Sequence, residues 1–173
     1  VMAYEISKTF DYSARTIQTP INPISVMLPR QEVVIATVLR AGLPFHQGFL
    51  NYFDHAGSAF VSARRAYSRV EGQIEIRFDS VYTPDLTGKQ LLLVDPMLAT
   101  GGSAEAAITM LKQKGVKNIR FMCIIAAPEG VKKMQECHPD VDMYIGALDE
   151  QLNSHGYIVP GLGDAGDRIF GTK

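Results

Sequence analysis

Four consecutive apolar residues, Leu91 to Val94, run into an acid, Asp95, and then Pro96. An unbroken apolar run of this length reads as a strand buried on both faces of a parallel sheet. Pro96 has no N–H and is expected to end the ladder there. A small, polar turn follows at residues 99–103. The apolar positions then change to helical spacing, with Ala107, Ile108, Leu111 and Lys114 on one face until Gly115 stops the pattern. The β-branched run EVVIATVL at residues 32–39 predicts a second central strand. Shorter strands are expected at 59–63, 119–126 and 142–147, and helices at 45–53 and from Pro128, a favoured first-turn residue. Residues 1–7 read as the end of a helix. Residues 10–28, interrupted by Pro20 and Pro23, read as extended loop or edge strand. The least regular part is 64–88. Within it residues 73–78 alternate polar and apolar, and Glu71-Gly72 suits a hairpin turn, which predicts a β-arm or flap. The recurring strand–helix order predicts an α/β fold with a parallel central sheet flanked by helices. Ligands of such sheets sit beyond the C-terminal ends of the strands, and Arg40, Arg65 and Asp95 fall at or just after such ends.

Composition narrows the picture. The 173 residues fit one domain over 1–173 with a proper core. A net charge of −1 implies no general attraction to nucleic acid or to an anionic membrane, so any polyanionic ligand must meet local positive charge. The two cysteines, Cys123 in an apolar run and Cys137 on an expected helix, make neither a disulfide framework nor a metal site. No apolar run approaches membrane-spanning length and no signal peptide is evident, so a reducing, cytoplasmic setting is expected. The opening VMAYEISKTF reads as a helix whose start is absent, which suggests a truncated chain.

The candidate chemistry centres on the turn after Asp95. Strand, glycine turn and helix together make a phosphate site: the turn's N–H groups have no helical partner, and the helix dipole adds positive potential there. Gly101 and Gly102 allow close backbone approach, and Thr100 and Ser103 offer hydroxyls. The plainer reading is an ordinary β-to-α turn. Arg40, in LRAG after the strand at 32–39, is placed either to pair with a diphosphate or to make a surface ion pair. Arg64 and Arg65 belong to an arginine-rich stretch that also suits a solvated face. Residues 161–166 satisfy G-x-G-x-x-G, but only seven residues remain for the helix that a dinucleotide-binding unit needs, so that reading fails. A glycine-rich hood lying against a flat ligand fits better, with Tyr157 either walling the pocket or packing in the core.

The same residues carry a resemblance. Asp95 to Ser103, DPMLATGGS, resembles the ribose-phosphate loop of uracil phosphoribosyltransferases, in which Pro96 stands where other phosphoribosyltransferases carry a second acid. The tail HGYIVPGLGDAGDRIFGTK, together with AAPEG at 126–130 and HPDVD at 138–142, resembles that family too. The resemblance implies a type I phosphoribosyltransferase-like fold with a flap at 64–88 and a uracil-binding hood at 149–173. Family members carry a further N-terminal arm. It implies transfer of the phosphoribosyl group of 5-phosphoribosyl 1-diphosphate to uracil N1, giving UMP and pyrophosphate. Arg40 and Arg65 would bind the diphosphate, with Arg64 as the alternative to Arg65. Asp95, Pro96, Met97, Leu98, Ala99, Thr100, Gly101, Gly102 and Ser103 would bind the ribose phosphate, and Asp164 would face the same substrate. Uracil would meet Ile158, Gly163, Asp164 and Ala165 through main-chain groups, since its edge presents one N–H between two carbonyls. Asp164, Arg40 and Asp95 are the candidate catalytic residues. No general base is obvious; His155 and Asp164 are candidates. Mg²⁺ is expected to ride mainly on the substrate diphosphate, and no protein metal ligand is assigned. A homodimer or higher homo-oligomer is expected. A nucleotide- or RNA-binding regulator of pyrimidine genes on the same fold is the alternative. It would need a basic face, which the net charge argues against.

Overall fold

The computed structural model describes residues 1–67 and 74–172, apart from the side chains of residues 63–67 and 74–79. The chain opens with helix α1 (Met2–Ser7) and strands β1 (Tyr12–Gln18) and β2 (Pro23–Pro29), which pair antiparallel as a separate two-stranded sheet. Of the two expectations, loop or edge strand, the edge strand holds, since both strands of this hairpin are edges. Pro20 lies in its turn and Pro23 is the first residue of β2, so neither removes a donor from a central ladder.

Next come β3 (Val33–Leu39), α2 (Leu43–Leu50), β4 (Gly57–Tyr67), β5 (Ile74–Tyr82), β6 (Gln90–Val94), β7 (Met97–Leu98), α3 (Gly102–Gln113), β8 (Asn118–Ala126), α4 (Pro128–Cys137) and β9 (Asp142–Leu148). Strands β3 to β9 form one seven-stranded sheet. Strand β3 pairs parallel with β4 on one side and with β6 on the other. β6 and β7 follow each other along β8, whose pairing with β9 is also parallel. Only β5 among the described strands of this sheet runs antiparallel, against β4.

Alternation along the strands divides the core into two faces. Leu91 and Leu93 of β6 pack with Val34 and Ala36 of β3, Ile119 and Phe121 of β8, and Ala104, Ala107, Ile108 and Leu111 of α3. Leu92 and Val94 point the other way, to Ile35, Met122, Ile6 of α1 and Phe49 of α2. All five residues of β6 are buried, as a strand covered on both faces requires. Phe45 and Phe53 pack against the second cluster, which accounts for the aromatic stretch as core, whereas Tyr52 is exposed and shares its hydroxyl with Ser7 Oγ at 3.0 Å.

Three local expectations need correction. Pro96 does not end the ladder: its carbonyl accepts from Ile124 and Ile125 N–H (3.1 and 3.2 Å), and Met97-Leu98 resume pairing with β8. The missing donor interrupts the row for one residue only. Strand β4 runs four residues beyond the expected end at residue 63, because β5 supplies an antiparallel partner past the point where β3 stops. Lys114 is the exposed C-cap of α3 and takes no part in its buried face. The expected turn at Glu71-Gly72 lies outside the described residues.

Candidate active-site cleft

A cleft of about 580 Å³ opens at the C-terminal ends of β3 and β6, where the chain leaves in opposite directions across the sheet. It is lined by Val38 to Ala41, by Ser62, by every residue from Asp95 to Ala104, and by Gly156 to Ile158 and Gly163 to Gly166. Arg40 and the whole of the loop therefore meet the glycine-rich tail in one space, although 132 residues separate Arg40 from Thr172, which it contacts.

The loop is held from beneath. Asp95 N–H donates to Met122 C=O at 3.0 Å and Ala127 N–H to Leu98 C=O at 2.9 Å, tying both ends of the turn to β8. Gly101 has φ 77°, a left-handed conformation that a side chain would oppose, and as N-cap of α3 it offers no side chain, leaving only a long 3.5 Å contact from Gly102 N–H to Thr100 Oγ1. The uncapped N-terminus of this twelve-residue helix leaves its first N–H groups and dipole facing the cleft, as the phosphate reading requires. Gly130 of α4 was not singled out chemically from the sequence. A Cβ there would collide with the Ala99 carbonyl oxygen and come within 2.9 Å of that of Leu98, so its bareness lets α4 support the loop.

Asp95 ends the buried strand. Burial pushes its carboxyl up to about 7, against the stabilising but long Met97 N–H contact at 3.5 Å. Near neutrality the group can therefore both donate to and accept from a substrate hydroxyl. Burial, reinforced by the Asp95 charge, pushes the Cys123 thiol up to about 12, so that sulfur is an inert core atom.

The tail is a different construction. Strands β10 (Gln151–Leu152) and β11 (Ile158–Val159) make a short antiparallel pair, followed by helix α5 (Ala165–Phe170). The connecting turn is organised by Asn153, whose Oδ1 accepts from His155 and Tyr157 N–H at 2.9 and 3.0 Å. Asp149 Oδ2 accepts from Gly161 N–H at 3.0 Å, and Glu129 Oε1 accepts from Leu152 N–H at 2.9 Å. These acceptors escaped notice in the sequence; an Asn or Asp beside glycines was the available signal. Because Leu152 donates to Glu129 and Asn153 donates to Tyr157 C=O (2.8 Å), Leu152 and Ile158 form the ladder's non-hydrogen-bonded pair. The main-chain groups of Ile158 are thus directed away from β10.

Asp164 is the N-cap of α5: its Oδ1 accepts from Asp167 N–H at 2.9 Å while the residue lines the cleft. Gly163 and Ala165 flank it there. A helix does follow the G-x-G-x-x-G run, contrary to expectation, but it is six residues long and joins no βαβ unit. Tyr157 lines the cleft, half-buried. His155 is exposed in the β10–β11 turn and is not among the residues that line the cleft. Residue 65 lies inside β4 and not after a strand end; its side chain and that of residue 64 are outside the described set, so the choice between the two arginines stays open. Among the described residues no three His, Cys, Asp or Glu side chains converge on a metal position, and Asp95 and Asp164 are the carboxylates lining the cleft. No helix among them is long and apolar enough to cross a membrane.

A family model described as uracil phosphoribosyltransferase matches residues 1–172. The chain is 47% identical over 174 aligned positions to the uracil phosphoribosyltransferase of Staphylococcus aureus strain Newman, covering 100% of this chain and 82% of that protein. Its counterpart in Streptococcus equi subsp. zooepidemicus strain MGCS10565 is likewise 47% identical, with the same coverage. Among solved structures, the AQ2163 protein from Aquifex aeolicus superposes with a TM-score of 0.89 at 35% identity, over 98% of this chain and 80% of that one. A purine phosphoribosyltransferase from Pyrococcus horikoshii Ot3 gives a TM-score of 0.51 at 21% identity, over 69% of this chain and 75% of that one, a likeness of fold. The mostly parallel sheet with its flanking helices is of the type I phosphoribosyltransferase kind.

Proposed function

The chain belongs to the uracil phosphoribosyltransferase family, and from that premise we infer that its cleft transfers the 5-phosphoribosyl group of 5-phosphoribosyl 1-diphosphate to N1 of uracil. UMP and pyrophosphate are the products. The observation that carries the reading is the meeting, in one cleft, of the loop from Asp95 to Ser103, Arg40, and the tail from Gly163 to Gly166. The full-length match to enzymes does not favour the regulator alternative.

The N–H groups of Thr100 to Ser103 hold the 5′-phosphate at the open end of α3. Asp95 binds the ribose hydroxyls. Arg40, with Arg65 or Arg64, draws charge from the departing diphosphate, which lowers the barrier as the ribose becomes oxocarbenium-like. Main-chain groups of Ile158, Gly163 and Ala165 meet the uracil edge, and Asp164 faces the ribose diphosphate from the same segment. Holding N1 in line with C1 supplies the remaining advantage. The donor set, two cleft carboxylates on separate elements, suits Mg²⁺ held mainly by diphosphate oxygens and water, where it would neutralise charge on the diphosphate. We treat residues 1–173 as one domain, with 64–88 as flap and 149–173 as hood, working as a cytoplasmic homo-oligomer.

The test is incubation with labelled uracil, 5-phosphoribosyl 1-diphosphate and Mg²⁺, with orotate and hypoxanthine in parallel. Uracil-dependent UMP with matching pyrophosphate is expected. Product from orotate or hypoxanthine in place of uracil, or from no base, overturns the assignment.

A further inference from the structure

The geometry points to Asp167 as a positioning residue for Arg40, a role that rests on the transferase reading above. Among the described residues, the side-chain contacts of the Arg40 guanidinium come from α5 and the residues just after it. Nη2 lies 4.0 Å from Asp167 Oδ1 and 3.5 Å from Thr172 Oγ1, and the guanidinium carbon lies 5.7 Å from the centre of the Phe170 ring. Thr172 Oγ1 donates to Asp167 Oδ1 at 2.6 Å. The N–H groups of Gly171 and Thr172 donate to the Asp167 carbonyl at 2.8 and 3.3 Å. Asp167 thus closes the last turn of α5 and presents its carboxylate to the arginine.

The contacts are unequal in a way that suits positioning. The Asp167 side chain is 18% exposed and that of Arg40 is 57% exposed. The carboxylate is therefore shielded while the guanidinium remains open. Charge-assisted N–H···O bonds run near 2.7–2.9 Å. The two longer contacts leave the arginine's donors unspent and available to a diphosphate. A long, exposed arginine loses rotamer freedom when it clamps a ligand, and a fixed countercharge at its back reduces that loss. The N-terminal end of the same helix, Asp164 to Gly166, lines the cleft. The end of α5 that lines the cleft and the end that contacts Arg40 therefore belong to one short helix.

The variants are Asp167→Asn, which removes the charge but can still accept from Thr172, and Asp167→Glu, which keeps the charge. Both are made in the full chain. KM for each substrate, kcat, the unliganded Tm, and the thermal shift given by 5-phosphoribosyl 1-diphosphate with Mg²⁺ are measured. Asp167→Asn is expected to raise KM for the diphosphate substrate about three- to fivefold, the upper scale of a partly exposed ion pair, and to shrink the thermal shift. KM for uracil should stay within about twofold and Asp167→Glu should recover part of the loss. An unchanged or lowered KM for the diphosphate substrate overturns the role. So does a parallel rise in both KM values with a lower unliganded Tm, which marks a purely structural residue. A wild-type protein that makes no UMP fails the transferase reading instead, and the thermal shift then still reads whether Asp167 serves diphosphate binding.

Discussion

The loop from Asp95 to Ser103 and the C-terminal tail, proposed as phosphate site and hood, line the same cleft but are held there by different forces. The loop is slung between a five-residue strand buried throughout and a twelve-residue helix whose inner face fills the core. The hood consists of two two-residue strands and a six-residue helix. Its shape depends on single side chains that accept from backbone N–H groups: Glu129, Asp149, Asn153 and Asp164. Each such bond is worth about 1 kcal/mol, whereas a fully buried strand residue contributes about 1.5–3 kcal/mol. The loop is therefore expected to keep one geometry with or without ligand. The hood is the side that can yield.

The strongest way to break this contrast is to disturb the loop where its backbone has no alternative. Gly101→Val would put a β-branched residue at φ 77°, with its Cβ 3.1 Å from the Gly130 carbonyl oxygen. Loss of the cradle should cost about 4 kcal/mol of transition-state binding, or about 10³-fold in kcat/KM for 5-phosphoribosyl diphosphate, with the circular dichroism spectrum retained. A loss under tenfold would mean that the loop is not the phosphate site. Arg40→Ala comes next. One charge-assisted contact to the diphosphate is worth about 1.5–3 kcal/mol, so kcat/KM should fall about 10- to 100-fold, with Arg40→Lys between it and wild type.

Asp164 sharpens the comparison because it serves both structure and cleft. Asp164→Ala should destabilise α5 by about 1 kcal/mol through the lost cap and weaken both substrates. Asp164→Ser keeps a capping oxygen without the charge. If the serine variant matches wild type in kcat/KM, Asp164 acts as a cap alone.

The smallest effect is on stability. The Asp95 carboxyl is raised by burial from 3.8 to about 7, so the native state holds its proton more tightly than the unfolded chain does. Its contribution is complete below pH 3.8 and is lost as pH rises through about 7. Asp95→Asn should remove that slope: relative to wild type its Tm should be higher at pH 8 than at pH 4.5, on the scale of about 2–4 °C per kcal/mol for a chain of this size. A Tm difference independent of pH would show that Asp95 is not desolvated as described.

Much of this could be read from the chain. The run from Leu91 to Gly115 specified its own strand, turn and helix, because burial on both faces, a left-handed glycine and helical periodicity are local signals that agree. Arg40 was legible as the residue just past a buried strand. The hairpin of β1 and β2 was not, since two prolines look alike whether they break a strand or bound one. The resumption of pairing after Pro96 depended on β8, a partner some thirty residues away.

The sequence by itself determined the layered sheet and the strand, turn and helix from Leu91 to Gly115, because each follows from periodicity and backbone chemistry within a few neighbours. Only the tertiary structure decided that His155 stands outside the cleft, that Gly130 must be bare for α4 to reach the loop, and that Asp167 and Thr172 stand behind Arg40. Those relations join segments far apart in the chain, and the approach of α4 to the loop and of α5 to Arg40 is what brings them within contact distance.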